Sequence, residues 1–243
     1  TFEFICGSEE RTNWHVSTTG SDISGSATLI SPLFSIQTAI NLSKDGDTVS
    51  VAPGTYFENI EIPNKKLHVI GQDRETTIID GGGSSSVVNI WGTDAGKDIT
   101  LKGFTLQNGV GKPISPDTHY NNNCGGGIVV ANPASPLLTD LIIQDNAING
   151  AGGGIFVETG ASLRLSNSII RNNESGSGMP GGGVYTSGGG FGFVHNVEVY
   201  GNSAGGRGGG ICSNSPTTIT NSVIRNNTCG EQANGIHGWS LNM

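Results

Sequence analysis

Charged side chains are scarce in this 243-residue chain: Asp, Glu, Lys and Arg together make up 13% of it, about half the usual share of roughly 25%. The 12 Lys and Arg residues are scattered, and the net charge is −8. A protein that neutralises phosphates needs a basic footprint, so nucleic acid is excluded as a partner. No apolar run approaches the ~20 residues that span a bilayer, so no membrane insertion by this segment is expected. No CxxC pair occurs among Cys6, Cys124, Cys212 and Cys229, which removes the usual spacing of a zinc site. Four cysteines allow three pairings. Cys212 with Cys229 is the expected bridge, and small buried thiols are the alternative. The chain starts at Thr1 without Met and shows no signal peptide, which reads as a processed form or a fragment.

Glycine is abundant, at 40 residues, and Asn, Ser and Thr are frequent. Ile and Val recur in short runs, unlike the composition of disordered chains. This combination predicts many short strands joined by tight turns. The strands repeat. A Gly triplet followed by a β-branched residue begins at Gly125, Gly152, Gly181 and Gly208, at spacings of 27, 29 and 27, with a weaker copy at Asn234-Gly235-Ile236. A second block ends on Asn146, Asn173, Asn202 and Asn227, in phase with the first.

A unit of this size cannot bury its apolar face alone, but stacked units can, each strand pairing in parallel with its counterpart about 4.8 Å away. The expected fold is therefore all-β, a right-handed parallel β-helix with a short N-terminal capping helix. Leu106, Ile143, Ile170, Val199 and Ile224 should form one internal ladder, and the closing asparagines should bond between coils or occupy left-handed corners. The Gly triplets suit corners of close backbone approach or positive φ. A helical solenoid lacks the 3.6 period here, and a calcium-binding nonapeptide roll would need Asp where Ile and Val stand.

The chain reads as one domain. Residues 1–46 supply a strand and an amphipathic capping helix within 31–46 that carries Phe34, Ile36, Ala39 and Ile40. Residues 47–108 form the first coils, 109–124 a loop insertion, and 125–243 the Gly-triplet coils, incomplete at the C-terminus. The segments Trp14-His15-Val16-Ser17, Ser35 to Ile40, Gly46 to Val49, Pro53 to Ile60 and Ile70-Gly71 resemble the start of pectate-lyase-like β-helix proteins. The later units resemble repeats of polymorphic outer-membrane and autotransporter passenger proteins, with Gly in place of Ala and Ile or Val in place of Phe. This resemblance covers most of the chain and implies a fold that hosts lyases, hydrolases, esterases and adhesins alike. Gly54, Tyr56 and Glu58 are similar to a segment of pectin methylesterases, whose Asp-Phe signature is absent here.

Two sets of residues are candidates for a site. Lys112, Asp117, His119 and Tyr120 in the insertion, near Arg164 or Arg171, are the catalytic candidates if the chain is an enzyme. A His or Tyr base beside an Arg suits β-elimination on a uronate, with Ca²⁺ as an optional aid and no other cofactor or metal expected. The second set is a binding face of outward residues: Val129, Phe156 and Tyr185 after the triplets, with Ile142 and Ile169 in a parallel row. An apolar strip on a flat sheet marks an interaction surface. His195 is read as structural. The favoured function is an extracellular or cell-surface, non-enzymatic scaffold that binds a polysaccharide or a surface protein. The alternatives are a lyase or related enzyme acting on acidic polysaccharide, and a filament subunit that stacks head-to-tail.

Overall fold

The computed structural model describes residues 12–92, 98–113, 123–238 and 241–242. Three parallel ladders run the length of the solenoid. The first holds Asn13–Val16, Asp47–Val51, Leu67–Gly71, the first halves of Ile99–Gln107 and Leu137–Gln144, then Leu163–Ser166, Gly192–His195, Thr217–Thr220 and Leu241–Asn242. The second holds Gly54–Phe57, Thr77–Asp80, the second halves of the same two long strands, then Ile169–Arg171, Glu198–Tyr200 and Val223–Arg225. The third has seven strands, from Ile60–Ile62 through Ile128–Val130, Ile155–Val157 and Val184–Thr186 to Ile236–Gly238.

Alternation within each strand decides what is buried. Leu163 and Leu165 face in while Arg164 faces out. Leu106, Ile143, Ile170, Val199 and Ile224 stack in one register, the first four fully buried and Ile224 partly. One continuous aliphatic core results, from Val16 to Ile219.

Each coil from Leu137 onward turns at three left-handed corners. The first is occupied by Asp140, Asn167, Asn196 and Asn221, at φ 50–55°. At the second, Asn172 takes φ 54° while Asn173 beside it is buried. The paired asparagines thus divide the work: one turns the chain, and the next bonds between coils. Asn146, Asn173, Asn202 and Asn227 form a buried ladder, each Nδ2 donating to the Oδ1 of the next at 2.9–3.0 Å. The third corner is the Gly triplet, and both expected reasons for glycine operate there at different positions. Gly181 takes φ 70°, whereas a Cβ on Gly182 would stand 2.5 Å from the carbonyl oxygen of Gly209 in the next coil. In the weak last copy Ala233 takes the left-handed position, at φ 62°.

The capping helix is shorter than its sequence window. It runs over Ile36–Leu42, with Ser35 as N-cap, and buries Ile36, Ala39 and Ile40 against the first coil. Its first two N–H groups donate to the Glu58 carboxylate at 2.8 and 2.9 Å. The Lys65 ammonium donates to the carbonyls of Ile40 and Ser43, both at 2.7 Å. Tyr56 donates its hydroxyl proton to Ala52 O. The Gly-x-Tyr-x-Glu segment therefore has a structural task here, holding the cap. Since the helix closes that end of the core, head-to-tail stacking through it would require the helix to be displaced. Cys212 and Cys229 are free thiols, so the expected Cys212–Cys229 bridge is not formed; Cys6 lies outside the described residues.

Candidate binding groove on the second ladder

The expected binding strip proves to be interior. Val129, Phe156 and Tyr185 do point away from the aliphatic core, in register with one another. Yet none is exposed by more than 3%. The segment between the second corner and each triplet folds back over this face, so Cys124 and Ala151 close over Phe156, Tyr185 and Cys212 in a second small core. The Phe156 and Tyr185 rings lie 5.7 Å apart, and the Tyr185 hydroxyl accepts from Asn214. Ile142 is buried and Ile169 half-buried. The turn at Asp73–Thr76 reaches over this row: Arg74 NH1 donates to Asn167 O at 2.9 Å and its carbonyl accepts from Thr105.

Of the catalytic candidates only Lys112, Arg164 and Arg171 are among the described residues, and they stand on different strands. Lys112 pairs with Glu61 at 3.0 Å, on the outer face of the third ladder. Arg171 faces out from the second. Asp117, His119 and Tyr120 lie outside the described residues.

What does converge is a row that no candidate set in the sequence included. It comprises the residues one step beyond the internal aliphatic ladder: Asp80, Gln107, Gln144, Arg171, Tyr200 and Arg225, stacked on consecutive strands. Each side chain contacts the next. Gln107 Nε2 donates to Asp80 Oδ2 at 2.9 Å and Gln144 Nε2 to Gln107 Oε1 at 3.1 Å. Arg171 donates twice to Gln144 Oε1, at 2.6 and 2.9 Å, and once to the Tyr200 hydroxyl at 3.1 Å. The Arg225 guanidinium lies 4.5 Å over the Tyr200 ring and pairs with Glu198 at 2.6 Å.

Beside this row runs a groove of about 440 Å³, lined by Arg74, Ile169, Glu198, Val223 and the corner asparagines 167, 196 and 221. The row and groove together offer amides, a phenol and guanidinium groups over an apolar floor.

The electrostatics of the row are uneven. Burial pushes the Asp80 carboxyl upward, but hydrogen bonds from Gln107, the Gly82 N–H and Asn108 outweigh it and hold the group below the ordinary aspartate value. Arg225 is compensated by Glu198, whereas Arg171 meets only neutral partners among the described residues. Asp80 and Glu198 stand four strands apart, about 19 Å, too far for a paired-carboxylate hydrolysis, which needs at most roughly 9.5 Å. Among the described residues no three His, Cys, Asp or Glu side chains gather where they could hold a metal ion, and no helix is long and apolar enough to cross a membrane. A larger cleft, about 580 Å³, lies under residues 17–33 and carries His15 as its only titratable side chain.

Residues 86–238 match the family model described as right handed beta helix region. The chain belongs to the right-handed β-helix family. No curated protein matches it. Among solved structures it is similar to the pectin methylesterase PemA from Erwinia chrysanthemi, with a TM-score of 0.52 at 15% identity, over 86% of this chain and 64% of that one. A pectin methylesterase in complex with a hexasaccharide has a TM-score of 0.44 at 16% identity, over the same shares of the two chains. The β-helix chain thus spans about 64% of the length of PemA, and at this identity the likeness is one of fold.

Proposed function

We propose that this β-helix chain is an extracellular scaffold that holds an extended glycan along the second ladder. The observation that carries the reading is the continuous outward row from Asp80 to Arg225, in which two amides, a phenol and two guanidinium groups follow one another at the coil spacing. A polymer of sugars presents hydroxyls at regular intervals, and planar amide and guanidinium groups bond such hydroxyls in pairs. The internal bonds of the row fix these side chains before a ligand arrives, which lowers the entropy lost on binding. Arg171, with neutral partners only, supplies the local positive charge that an acidic polymer needs against a net charge of −8. The likeness of fold to PemA is compatible with a glycan partner.

The test is retention on immobilised neutral and acidic polysaccharides, compared between the parent chain and the Arg171→Ala and Tyr200→Ala variants. Loss of retention in both variants, with unchanged melting, is the expected result. Retention that survives both substitutions removes the groove from consideration.

A second reading, a glycan-active enzyme, draws on Asp80 and Asp145. Asp80 is held ionised, and Asp145 is exposed at the corner that follows Gln144, two strands away. Two coil steps separate them by about 9.5 Å along the axis, the upper end of the roughly 6.5–9.5 Å of an inverting carboxylate pair. Release of reducing ends, unsaturated product or methanol from the same polymers, abolished by Asp80→Asn, would establish this reading.

A further inference from the structure

Among the exposed aromatic rings, which include Phe34, Phe57 and Trp91 near the N-terminal end, two lie close together in the triplet coils, away from the strip that the repeat pattern marks. Phe193, at 47% exposure, stands on the outer face of the first ladder, and Phe191, at 73%, immediately precedes its strand. Phe193 and His195 alternate on the strand Gly192–His195, so their rings share one face. Those rings are stacked, 6.1 Å apart and inclined by 15°, and His195 Nδ1 is 2.9 Å from the Thr220 hydroxyl. The register places Arg164 beside Phe193 on one side and Thr218 on the other. Arg164 is exposed, and nothing among the described residues pairs with it.

We propose that Phe191, Phe193 and His195 form a stacking platform for a pyranose ring, a second ligand site on a different ladder from the groove and sharing no residue with it. A large exposed aromatic pair on a flat face is uncommon in a soluble chain and marks contact with a ligand. The chemistry of the surroundings selects the ligand. A pyranose has apolar C–H faces and a polar equator of hydroxyls. The platform offers ring faces at its centre, and a guanidinium and threonine hydroxyls at its edge. A peptide that adds a strand needs an open sheet edge, and Gly192–His195 is an internal strand, hydrogen-bonded on both sides. A purely apolar partner would leave the Arg164 donors buried without acceptors, which is costly, whereas sugar hydroxyls accept from them.

The experiment uses the full chain and three neutral probes, cellotetraose, mannotetraose and galactotetraose, followed by the aromatic NMR signals of Phe191, Phe193 and His195. The expected result is that at least one probe shifts all three rings and that Phe193→Ala weakens its binding about tenfold, a difference on the scale of one lost ring stack. Arg171→Ala should leave these shifts unchanged, so the platform and the groove succeed or fail separately. The measurement on the parent chain needs no variant to fold. The proposal is overturned if no probe moves the ring signals, or if they move on dilution without sugar, which would assign the face to a second copy of the chain.

Discussion

The side-chain amide of Asn173 donates to Asn202 Oδ1 at 2.9 Å, and the same oxygen accepts the backbone N–H of Asn173 at 3.0 Å. One buried oxygen thus satisfies two donors of the coil beside it, and Asn173 Nδ2 also reaches the Ile143 carbonyl at 2.9 Å. Asn172, one residue earlier, is exposed and turns the corner. The two neighbours should therefore respond very differently to truncation. Asn173→Ala leaves several buried polar groups without partners, at about 1–3 kcal/mol each, so a loss of about 3 kcal/mol or more is expected. Asn172→Ala forfeits only the tolerance of a left-handed backbone, about 1–2 kcal/mol, and Asn172→Gly should be close to neutral. Urea midpoints of the three variants test the ordering, and equal losses for Asn172→Ala and Asn173→Ala would contradict the division of labour.

The glycines divide in the same way. A Cβ on Gly182 would meet the Gly209 carbonyl oxygen at 2.5 Å, backbone against backbone. Gly82 has φ +59° but open space around it. Gly182→Ala should therefore lower the melting temperature sharply, whereas Gly82→Asn should shift it by no more than a few degrees. A Gly182→Ala chain that melts with the parent would show that neighbouring coils can separate freely.

The fold was legible because its signals are periodic. Triplet spacing, closing asparagines and the aliphatic ladder all follow from one stacking rule, and the residues assigned to them occupy those places. The sites were less legible for two physical reasons. Outward from the coil was equated with exposed, yet the chain between Asn173 and Gly181 folds back over the third ladder, and alternation within a strand carries no information about what covers its outer face. The row beside the groove gives no sequence signal because Gln107, Gln144 and Tyr200 are neutral and the row does not repeat in identity. Their common feature is their position, one residue past the internal ladder.

Opposite slopes are expected from two carboxylates as pH changes. Hydrogen bonds hold Asp80 below its ordinary value despite burial. Its contribution is therefore present above the unfolded value of about 3.9 and is lost as pH falls through the folded one. Burial raises Glu58, against the hydrogen bonds from Gln37 and Ile36, so its contribution is full below the unfolded value and declines as pH rises through the folded one. The stability difference between parent and Asp80→Asn should grow from pH 3 to 6, while that between parent and Glu58→Gln should shrink from pH 4 to 7. Melting curves over this range check both, and parallel slopes would refute the assignment.

Thiol reactivity separates the three described cysteines. Burial pushes Cys124 and Cys212 up to about 11, with only partial relief from the Ala151 N–H and from the Arg207 charge, respectively. At pH 8 the thiolate fraction of each is then about one in a thousand, and both side chains are closed off beside Phe156 and Tyr185. Cys229 is half-buried on a short outer strand. A maleimide applied to the native chain should therefore modify the Cys229 peptide well before those of Cys124 and Cys212, as read by mass spectrometry, and denaturant should remove the difference. Recovery of a Cys212–Cys229 cross-linked peptide from non-reduced protein would overturn the expectation, because both are free thiols in this structure.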